Sequence, residues 1–265
     1  MSQVAPNSKV YEKFFNAHGI RHFSASALNK WIGSPAAYGL SYLKKVKEPT
    51  NPAMARGTHA ESGIVAGLLD HKRSIESCVD LALAGFDKDM ALNPTNPDKI
   101  EMERKRISDL VGNGIIGLRK YGTPDFQEGN QQFVKVNLDG VAVPLIGYLD
   151  LFYPEHGLII DIKTTARMPS SISAAHARQG AGYAAAMANH EIRFAYVTPK
   201  DCKVLRQEDT SERLTELTKV AQQLQHFLSQ SEDTDELLRL LTPDYSSFYF
   251  SSPTMREAGR EVWGF

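Results

Sequence analysis

The spacing of hydrophobic residues changes near the middle of the chain. Before residue 120, apolar positions recur at helical spacing, which predicts helices at 9–17, 25–32, 36–46, 53–70 and 99–120. From residue 132, short apolar or alternating runs predict strands at 132–138, 141–152, 158–163 and 192–197. Further helices are expected at 170–189, 210–230 and 233–241, and a last short strand at 248–250. The segment 74–98 shows no clear period and ends in a Pro- and Asn-rich loop at 93–98.

This order of elements predicts one domain of mixed α/β (α+β) class. A length of 265 residues fits a single domain. We expect a mainly helical part at 1–125, a core of sheet and helix at 126–200 and a helical part at 201–265. In such a domain a mixed central β-sheet is flanked by helices.

Composition and charge narrow the class of protein. The chain is 42% hydrophobic and 23% charged, as ordinary globular proteins are. It has neither the roughly 18-residue apolar run of a membrane helix nor the basic and apolar start of a secretory signal. Two cysteines exclude a disulfide framework and a four-cysteine zinc or iron–sulfur site, so we expect a cytoplasmic location without membrane contact. A net charge of −1 excludes binding of nucleic acid through overall charge, but is compatible with a local basic channel.

The predicted strand at 158–163 carries polar side chains in a buried setting. Three aliphatic residues open the strand, and Asp161 and Lys163 follow them. Their separation of two residues puts both side chains on one face of the strand. A buried carboxylate costs several kcal/mol unless a neighbouring charge compensates it. The two residues therefore form either a structural ion pair or, together with a divalent cation, part of a catalytic site.

A second acidic residue ends the preceding strand. Asp150 closes the run Gly147-Tyr148-Leu149-Asp150, and ten residues separate it from Asp161. That length allows a strand end, a tight turn and an antiparallel return, which brings both carboxylates to one edge of the sheet. Two hard oxygen ligands that converge in this way suit Mg²⁺ or Mn²⁺. The alternative is that Asp150 is only a polar residue at a turn.

Two predicted helices carry further polar residues that face the sheet. His59 shares a stripe with small residues, which let its helix approach the sheet closely. Gln179 and Tyr183 lie one turn apart on the later helix. Taken alone, these residues are also explained by a structural histidine and a polar helix edge.

In this order, the polar blocks resemble the PD-(D/E)xK nuclease superfamily and, within it, the RecB-like exonuclease branch. The resemblance runs from Ser24 to about Val197. Its blocks are Ser24-Ala25-Ser26 with Leu28, Ser34-Pro35 and Tyr38; Arg56-Gly57-Thr58-His59; Gly147-Tyr148-Leu149-Asp150; Asp161-Ile162-Lys163-Thr164; and Gln179 to Tyr183. The resemblance implies a restriction-endonuclease-like core with helical additions at both ends.

The resemblance also implies catalytic and metal-binding roles. Asp150, Asp161 and Lys163 would be the catalytic residues, with Lys163 orienting the attacking water or stabilising the transition state. The cofactor would be Mg²⁺ or Mn²⁺, held by His59, Asp150, Asp161 and the carbonyl oxygen of Ile162. A divalent ion in this place would activate water and neutralise charge on the scissile phosphate.

Residues around these blocks are candidates for binding DNA. Gln179 and Tyr183 would hold the substrate strand, and Tyr183 is also able to stack on a base. Candidate contacts to the DNA backbone near the blocks are Arg56, Thr164, Arg167 and Arg178. Each arginine is equally well explained as a solvated surface residue.

The chain departs from the family's pattern at three points. Members with an iron–sulfur cluster have Cys-Pro where this chain has Ser34-Pro35, so no such cluster is expected. Gln131 and Gln132 stand where many members have a glutamate on the first strand, which leaves the number of metal ions open. No Gly-x-x-x-x-Gly-Lys-[Ser/Thr] loop occurs, so no nucleotide cofactor is expected.

The function that this resemblance implies is a metal-dependent DNA exonuclease in recombination, repair or phage DNA processing. Its partners would be single-stranded DNA or duplex ends, with a recombination or replication protein as a further possibility. For a phage protein, the location would be the host cytoplasm. The alternatives are a catalytically silent DNA-binding relative and a metal-dependent phosphohydrolase that acts on another substrate. Cleavage polarity, strand preference and oligomeric state stay open.

Overall fold

The computed structural model describes residues 8–93, 95–126 and 131–265. Within these ranges the helices before the sheet are α1 (Ser8–Ala17), α2 (Ala25–Gly33), α3 (Pro35–Tyr38), α4 (Pro52–Leu69), α5 (Ile75–Leu92) and α6 (Pro97–Leu118). The strands are β1 (Phe23–Ser24), β2 (Gln132–Val136), β3 (Leu145–Leu149), β4 (Leu151–Tyr153), β5 (Leu158–Thr164), β6 (Glu191–Val197) and β7 (Cys202–Arg206). The later helices are α7 (Ala174–Ala186), α8 (Thr210–Leu228), α9 (Thr234–Arg239) and α10 (Pro253–Trp263). Residue 94 of the predicted loop and residues 127–130 of the predicted core lie outside the described residues.

Serine side chains set where the first helices begin. Ser24 accepts a hydrogen bond from the backbone N–H of Ala27 and starts α2, as the sequence predicts. Ser34 caps α3 in the same way by accepting from Ala37. The segment predicted as one helix at 36–46 is therefore α3 followed by a π-helical turn, Gly39–Leu43.

The helix α5 occupies the segment whose sequence shows no clear period. Ser74 caps its first turn by accepting from the backbone N–H of Ser77. One face is buried, and it carries Cys78, Ala82, Phe86 and Met90 at intervals of four residues. This stripe mixes small, sulfur-containing and aromatic side chains, which explains why hydrophobicity alone did not reveal it.

The strands form two hydrogen-bonded sheets, ordered β1-β3-β2 and β4-β5-β6-β7. β3 and β4 are two parts of the strand predicted at 141–152, and Asp150 lies between them. β5 pairs antiparallel with β4 and parallel with β6. Both sheets are mixed and flanked by helices, so the predicted fold class is confirmed, although the strands divide into two sheets. Within the described ranges, no helix has the length and apolar character required to cross a membrane.

Three expectations for the second half of the chain are corrected. The helix predicted at 170–189 is shorter, because Ser173 caps it at its start. The sequence analysis missed β7, an edge strand, and α10, which Ser252 caps. The strand predicted at 248–250 is a 3-10 turn, Phe248–Phe250, whose last ring is buried against Tyr245 instead of pairing with a sheet.

The central strand β5 is buried on both faces. Leu158, Ile160 and Ile162 face the apolar cluster formed with α4, α5 and α6. Ile159 faces the opposite cluster, which contains aromatic residues of β6 and α7. Since side chains alternate along a strand, Asp161 lies on this second face, between the sheet and α7.

Gly180 lets α7 lie directly against the sheet. A Cβ atom at this position would lie 2.1 Å from Gln207 Oε1 and 2.9 Å from Ile192 Cγ2. We expect Gly180→Ala to lower the free energy of unfolding by about 1–3 kcal/mol, because α7 would have to move away from the sheet. The control is Gly112→Ala on α6, where a Cβ atom would have its nearest neighbour at 3.8 Å. Gly112→Ala should raise the free energy of unfolding, measured with urea, by about 0.5–1 kcal/mol. Equal changes in the free energy of unfolding for the two substitutions would contradict the close packing at Gly180.

Candidate active site

Asp161 is fully buried near the end of β5, at 0% exposure. Its Oδ1 accepts a hydrogen bond from the side-chain amide of Gln179 at 3.0 Å and lies 3.4 Å from the hydroxyl of Tyr183. Lys163 Nζ lies 2.6 Å from Oδ2 and forms an ion pair with it, and Oδ2 has no other partner among the described residues. Oδ2 is therefore a buried anionic oxygen with unused capacity to accept a further ligand.

Asp150 lies opposite Asp161 where β4 turns into β5. The ladder pairs Leu151 with Ile160, so residues 150 and 161 are next in register. Asp150 Oδ2 accepts from the backbone N–H of Ile162 at 2.8 Å. The antiparallel return expected from the sequence thus brings both carboxylates to one edge of the sheet.

Glu61 on α4 is a third carboxylate at this edge, and the sequence analysis missed it. The side-chain amide of Gln131 donates to Glu61 Oε1 at 3.1 Å and to Asp150 Oδ1 at 3.2 Å. One amide therefore bridges the two acids. The only signal in the sequence was its position two residues after His59 on the same helix. We refer to Glu61, Asp150 and Asp161 as the acidic cluster.

Burial and mutual repulsion raise the pKa of two members of the acidic cluster, Asp150 and Glu61. Burial, followed by the charges of Asp161 and Glu61, raises the pKa of Asp150 well above its usual range. Burial and the charge of Asp161 raise the pKa of Glu61 to about 7, although Lys163 and Gln131 act in the opposite direction. One ammonium group thus does not offset the charges of the three carboxylates.

Among the described residues, Lys163 is the cation on which all three acidic groups act. Burial alone would lower the pKa of its ammonium group, but the charges of Asp161 and Asp150 outweigh that effect and raise it. Lys163 is therefore held in its charged form, and its contribution at this site is that of a fixed positive charge.

The chemistry of these donors fits a hard divalent cation. Carboxylate oxygens are the ligands that Mg²⁺ and Mn²⁺ prefer, and two positive charges would offset the excess negative charge of the acidic cluster. Within the described ranges, no group of three or more His, Cys, Asp or Glu side chains is arranged so that it could hold a metal ion without rearrangement. The amide of Gln131, which bridges Glu61 and Asp150, occupies part of the space between them. The acidic cluster therefore supplies the ligand chemistry without a closed shell of ligands.

His59, proposed from the sequence as a metal ligand, is directed elsewhere. Its Nε2 lies 2.9 Å from Asp89 Oδ2 on α5. A Cβ atom at Gly85 would lie 2.3 Å from His59 Nδ1, so the imidazole packs directly on the backbone of α5. In this structure His59 connects α4 to α5. Glu61 is the α4 residue that shares the side-chain amide of Gln131 with Asp150.

Gln179 and Tyr183, expected to hold the substrate strand, make their contacts within the site. The Gln179 amide also lies 2.7 Å from the Tyr183 hydroxyl, which donates to the carbonyl of Tyr148 at 2.9 Å. Gly147 makes this approach possible, since a Cβ atom there would lie 2.9 Å from the Tyr183 ring. The two residues thus fix Asp161 to β3, and their contacts are those of positioning residues.

The candidate DNA-binding residues lie in different environments. Arg56 is buried and its guanidinium lies 2.6 Å from Glu103, with a longer contact of 3.5 Å to the carbonyl of Thr164. Arg178 is buried as well and donates to Asn29 and Glu216, so both arginines have partners within the fold.

Arg167 follows β5 and is exposed. Among the described residues it takes part in no ion pair. Thr164, at the end of β5, is half-buried beside Gly57. Of the four candidates, Arg167 is therefore the one whose charge faces solvent without a protein partner.

Comparison with known proteins relates the chain to a family. A family model described as the PD-(D/E)XK nuclease superfamily matches residues 22–244. A solved structure described as "Crystal structure of SSO0001" aligns with a TM-score of 0.41 at 12% identity, covering 84% of this chain and 89% of that chain. No curated protein matches the chain.

Proposed function

The chain belongs to the PD-(D/E)XK nuclease superfamily, and on this premise we propose that it is a metal-dependent DNA exonuclease of the RecB-like branch. Nucleases of this superfamily generally use divalent metal ions. The observation that carries the proposal is the acidic cluster, with Asp161 buried and Lys163 Nζ 2.6 Å from its Oδ2. The biological setting that we propose is recombination, repair or phage DNA processing.

Each residue of the site has a proposed task. When bound, Mg²⁺ or Mn²⁺ supplies activation of water and neutralisation of phosphate charge. Asp150 and Asp161 offer oxygens from the two strands of the β4–β5 hairpin, and Glu61 offers one from α4. The carbonyl of Ile162 is proposed as a further ligand, because the N–H of the same residue is held by Asp150.

Lys163 stabilises the negative charge that builds up on the phosphate during cleavage. Its ammonium group lies 2.6 Å from Asp161 Oδ2, which places a positive charge beside a proposed metal ligand. Gln179 and Tyr183 hold Asp161 in place through its Oδ1. Arg167 is the proposed contact to the DNA backbone, and Thr164 is the next candidate along the strand.

Incubation with linear and closed circular DNA tests this function. We expect the protein to degrade linear DNA from its ends with Mn²⁺ or Mg²⁺, to spare circular DNA, and to lose all activity in EDTA. Cleavage of the circle would replace the exonuclease with an endonuclease. Binding of DNA without cleavage would favour the silent relative, and hydrolysis of other phosphate esters but not DNA would favour a different phosphohydrolase.

We expect Glu61 to be a metal ligand and His59 not to be one. We expect Glu61→Gln to weaken Mn²⁺ binding at least about ten-fold, because it removes a charged oxygen from the acidic cluster. His59→Ala should leave Mn²⁺ affinity unchanged but lower the melting temperature, because the contact with Asp89 is lost. Titration calorimetry and thermal unfolding of both variants separate the two effects. If His59→Ala weakens the binding of Mn²⁺ and Glu61→Gln does not, the ligand assignment is reversed.

A further inference from the structure

His176 is a titratable residue on α7 to which the proposed mechanism gives no role. It lies three residues before Gln179 and seven before Tyr183, so all three share the face of α7 that covers the sheet. Ser173 caps the helix by accepting from the backbone N–H of His176. The imidazole stacks on Phe194 of β6, with ring centroids 5.8 Å apart and planes 20° apart. The ring is therefore held firmly in the layer that contains Asp161.

Tyr196 connects His176 to the neighbourhood of Lys163. The hydroxyl of Tyr196 lies 2.8 Å from His176 Nδ1. Tyr196 is also the direct partner of Lys163 in the parallel β5–β6 ladder. Paired residues in adjacent strands point to the same face of a sheet, so the imidazole, the phenol and the ammonium group share the layer under α7.

The surroundings of Tyr196 determine which imidazole nitrogen carries the proton. Tyr196 is only 1% exposed, and burial raises the pKa of its hydroxyl, so the group is protonated and needs an acceptor. Among the described residues its hydrogen-bond partner is His176 Nδ1, and a phenol that donates to this nitrogen selects the tautomer that accepts at Nδ1.

A neutral imidazole that accepts at Nδ1 carries its own proton at Nε2. Burial, followed by the charge of Lys163, lowers the pKa of His176, which keeps the ring neutral near pH 7. Nε2 has no hydrogen-bond partner among the described residues and is not one of their buried unpaired nitrogens. The ring therefore presents a single N–H donor toward solvent.

We propose that the Nε2–H of His176 donates a hydrogen bond to a phosphate oxygen of the bound nucleic acid, beside Lys163. This inference rests on the proposed function, because a nuclease must place an anionic phosphate next to Lys163. Tyr196 is then a positioning residue that acts by fixing the tautomer of His176. A neutral donor beside a cation orients the phosphate without adding to the positive charge of the site.

Two substitutions at residue 176 separate this role from packing. His176→Phe keeps an aromatic ring on Phe194 but has no N–H, so kcat/KM for linear DNA should fall about ten-fold to a hundred-fold. His176→Gln keeps an amide N–H near the position of Nε2 and should retain most of the activity. If His176 has only a structural role, His176→Phe should be more active than His176→Gln. His226→Phe, at an exposed histidine on α8, is the control and should have no effect.

Nitrogen NMR of the histidine side chains tests the tautomer without any cleavage assay. The wild-type protein should show His176 with the proton on Nε2, and Tyr196→Phe should remove that preference and lower kcat/KM by a smaller factor than His176→Phe. A wild-type tautomer protonated at Nδ1, or full activity of His176→Phe, would overturn the inference while leaving the nuclease function in place. Failure of the wild-type protein to cleave DNA would overturn both the inference and the proposed nuclease function.

Discussion

Replacement of Asp161 with asparagine is expected to lower DNA cleavage at least about a thousand-fold without unfolding the protein. The substitution keeps Oδ1, which accepts from Gln179, but removes the charge from Oδ2. Oδ2 already attracts the ammonium group of Lys163 at 2.6 Å, so it is the oxygen whose charge we expect to attract a metal ion. The loss should therefore appear in metal binding as well as in cleavage.

The same variant should remain folded when no metal is present. The charge of Asp161 raises the pKa of both Asp150 and Glu61, so its removal relieves repulsion within the acidic cluster. Two carboxylates remain to balance Lys163. Thermal unfolding in EDTA measures this, and Asp109→Asn at an exposed position of α6 is the matched control. An active Asp161→Asn variant, or one that unfolds in EDTA, would contradict the role given to Oδ2.

Replacement of Lys163 with glutamine is expected to separate cleavage from metal binding. Cleavage should fall about a hundred-fold to a thousand-fold, because the variant loses the charge that stabilises the phosphate. Binding of Mn²⁺ should be retained or become tighter, since the ammonium group 2.6 Å from Asp161 no longer repels the cation. In EDTA the variant should be less stable than the wild type, because the acidic cluster is left without its one compensating charge.

Parallel titration calorimetry and cleavage assays measure this separation. Lys203→Gln on β7 is the control, because Lys203 is exposed and lies outside the acidic cluster. Loss of Mn²⁺ binding in Lys163→Gln equal to that in Asp161→Asn would show that Lys163 only maintains the structure of the site.

Local periodicity was sufficient to predict the strand part of the site. A spacing of two residues on a strand fixes the face of both side chains, and the structure places Asp161 and Lys163 2.6 Å apart. The short connection between β4 and β5 likewise forces an antiparallel return, which brings Asp150 into register with Asp161. Both relations depend on backbone geometry over a few residues, and the sequence contains that information directly.

The helical part of the site could not be predicted in this way. His59 and Glu61 are two residues apart on α4, and a helix turns about 100° per residue, so they lie on nearly opposite faces. Which face meets the sheet depends on α5, which supplies Asp89 and a close-packed backbone to His59. The sequence of α5 has no clear period, so the packing that decides between the two residues was not visible.

The binding partners of long arginine side chains were also not predictable from the sequence. Arg56 and Arg178 are adjacent in sequence to the motifs, and the sequence predicts contacts to DNA for both. Their partners Glu103 and Glu216 come from α6 and α8, which lie far along the chain. A guanidinium reaches several ångströms from its backbone, so only the packed helices determine whether it meets phosphate or a protein carboxylate.

The most direct test of the central claim is anomalous diffraction from crystals of the wild-type protein grown with Mn²⁺. We expect one strong peak within about 2.3 Å of carboxylate oxygens of both Asp150 and Asp161, with Glu61 turned toward it. The same peak should be absent from crystals of Asp161→Asn. A peak at His59 and Asp89, or no peak between Asp150 and Asp161 in crystals that cleave DNA when dissolved with Mn²⁺, would contradict the account.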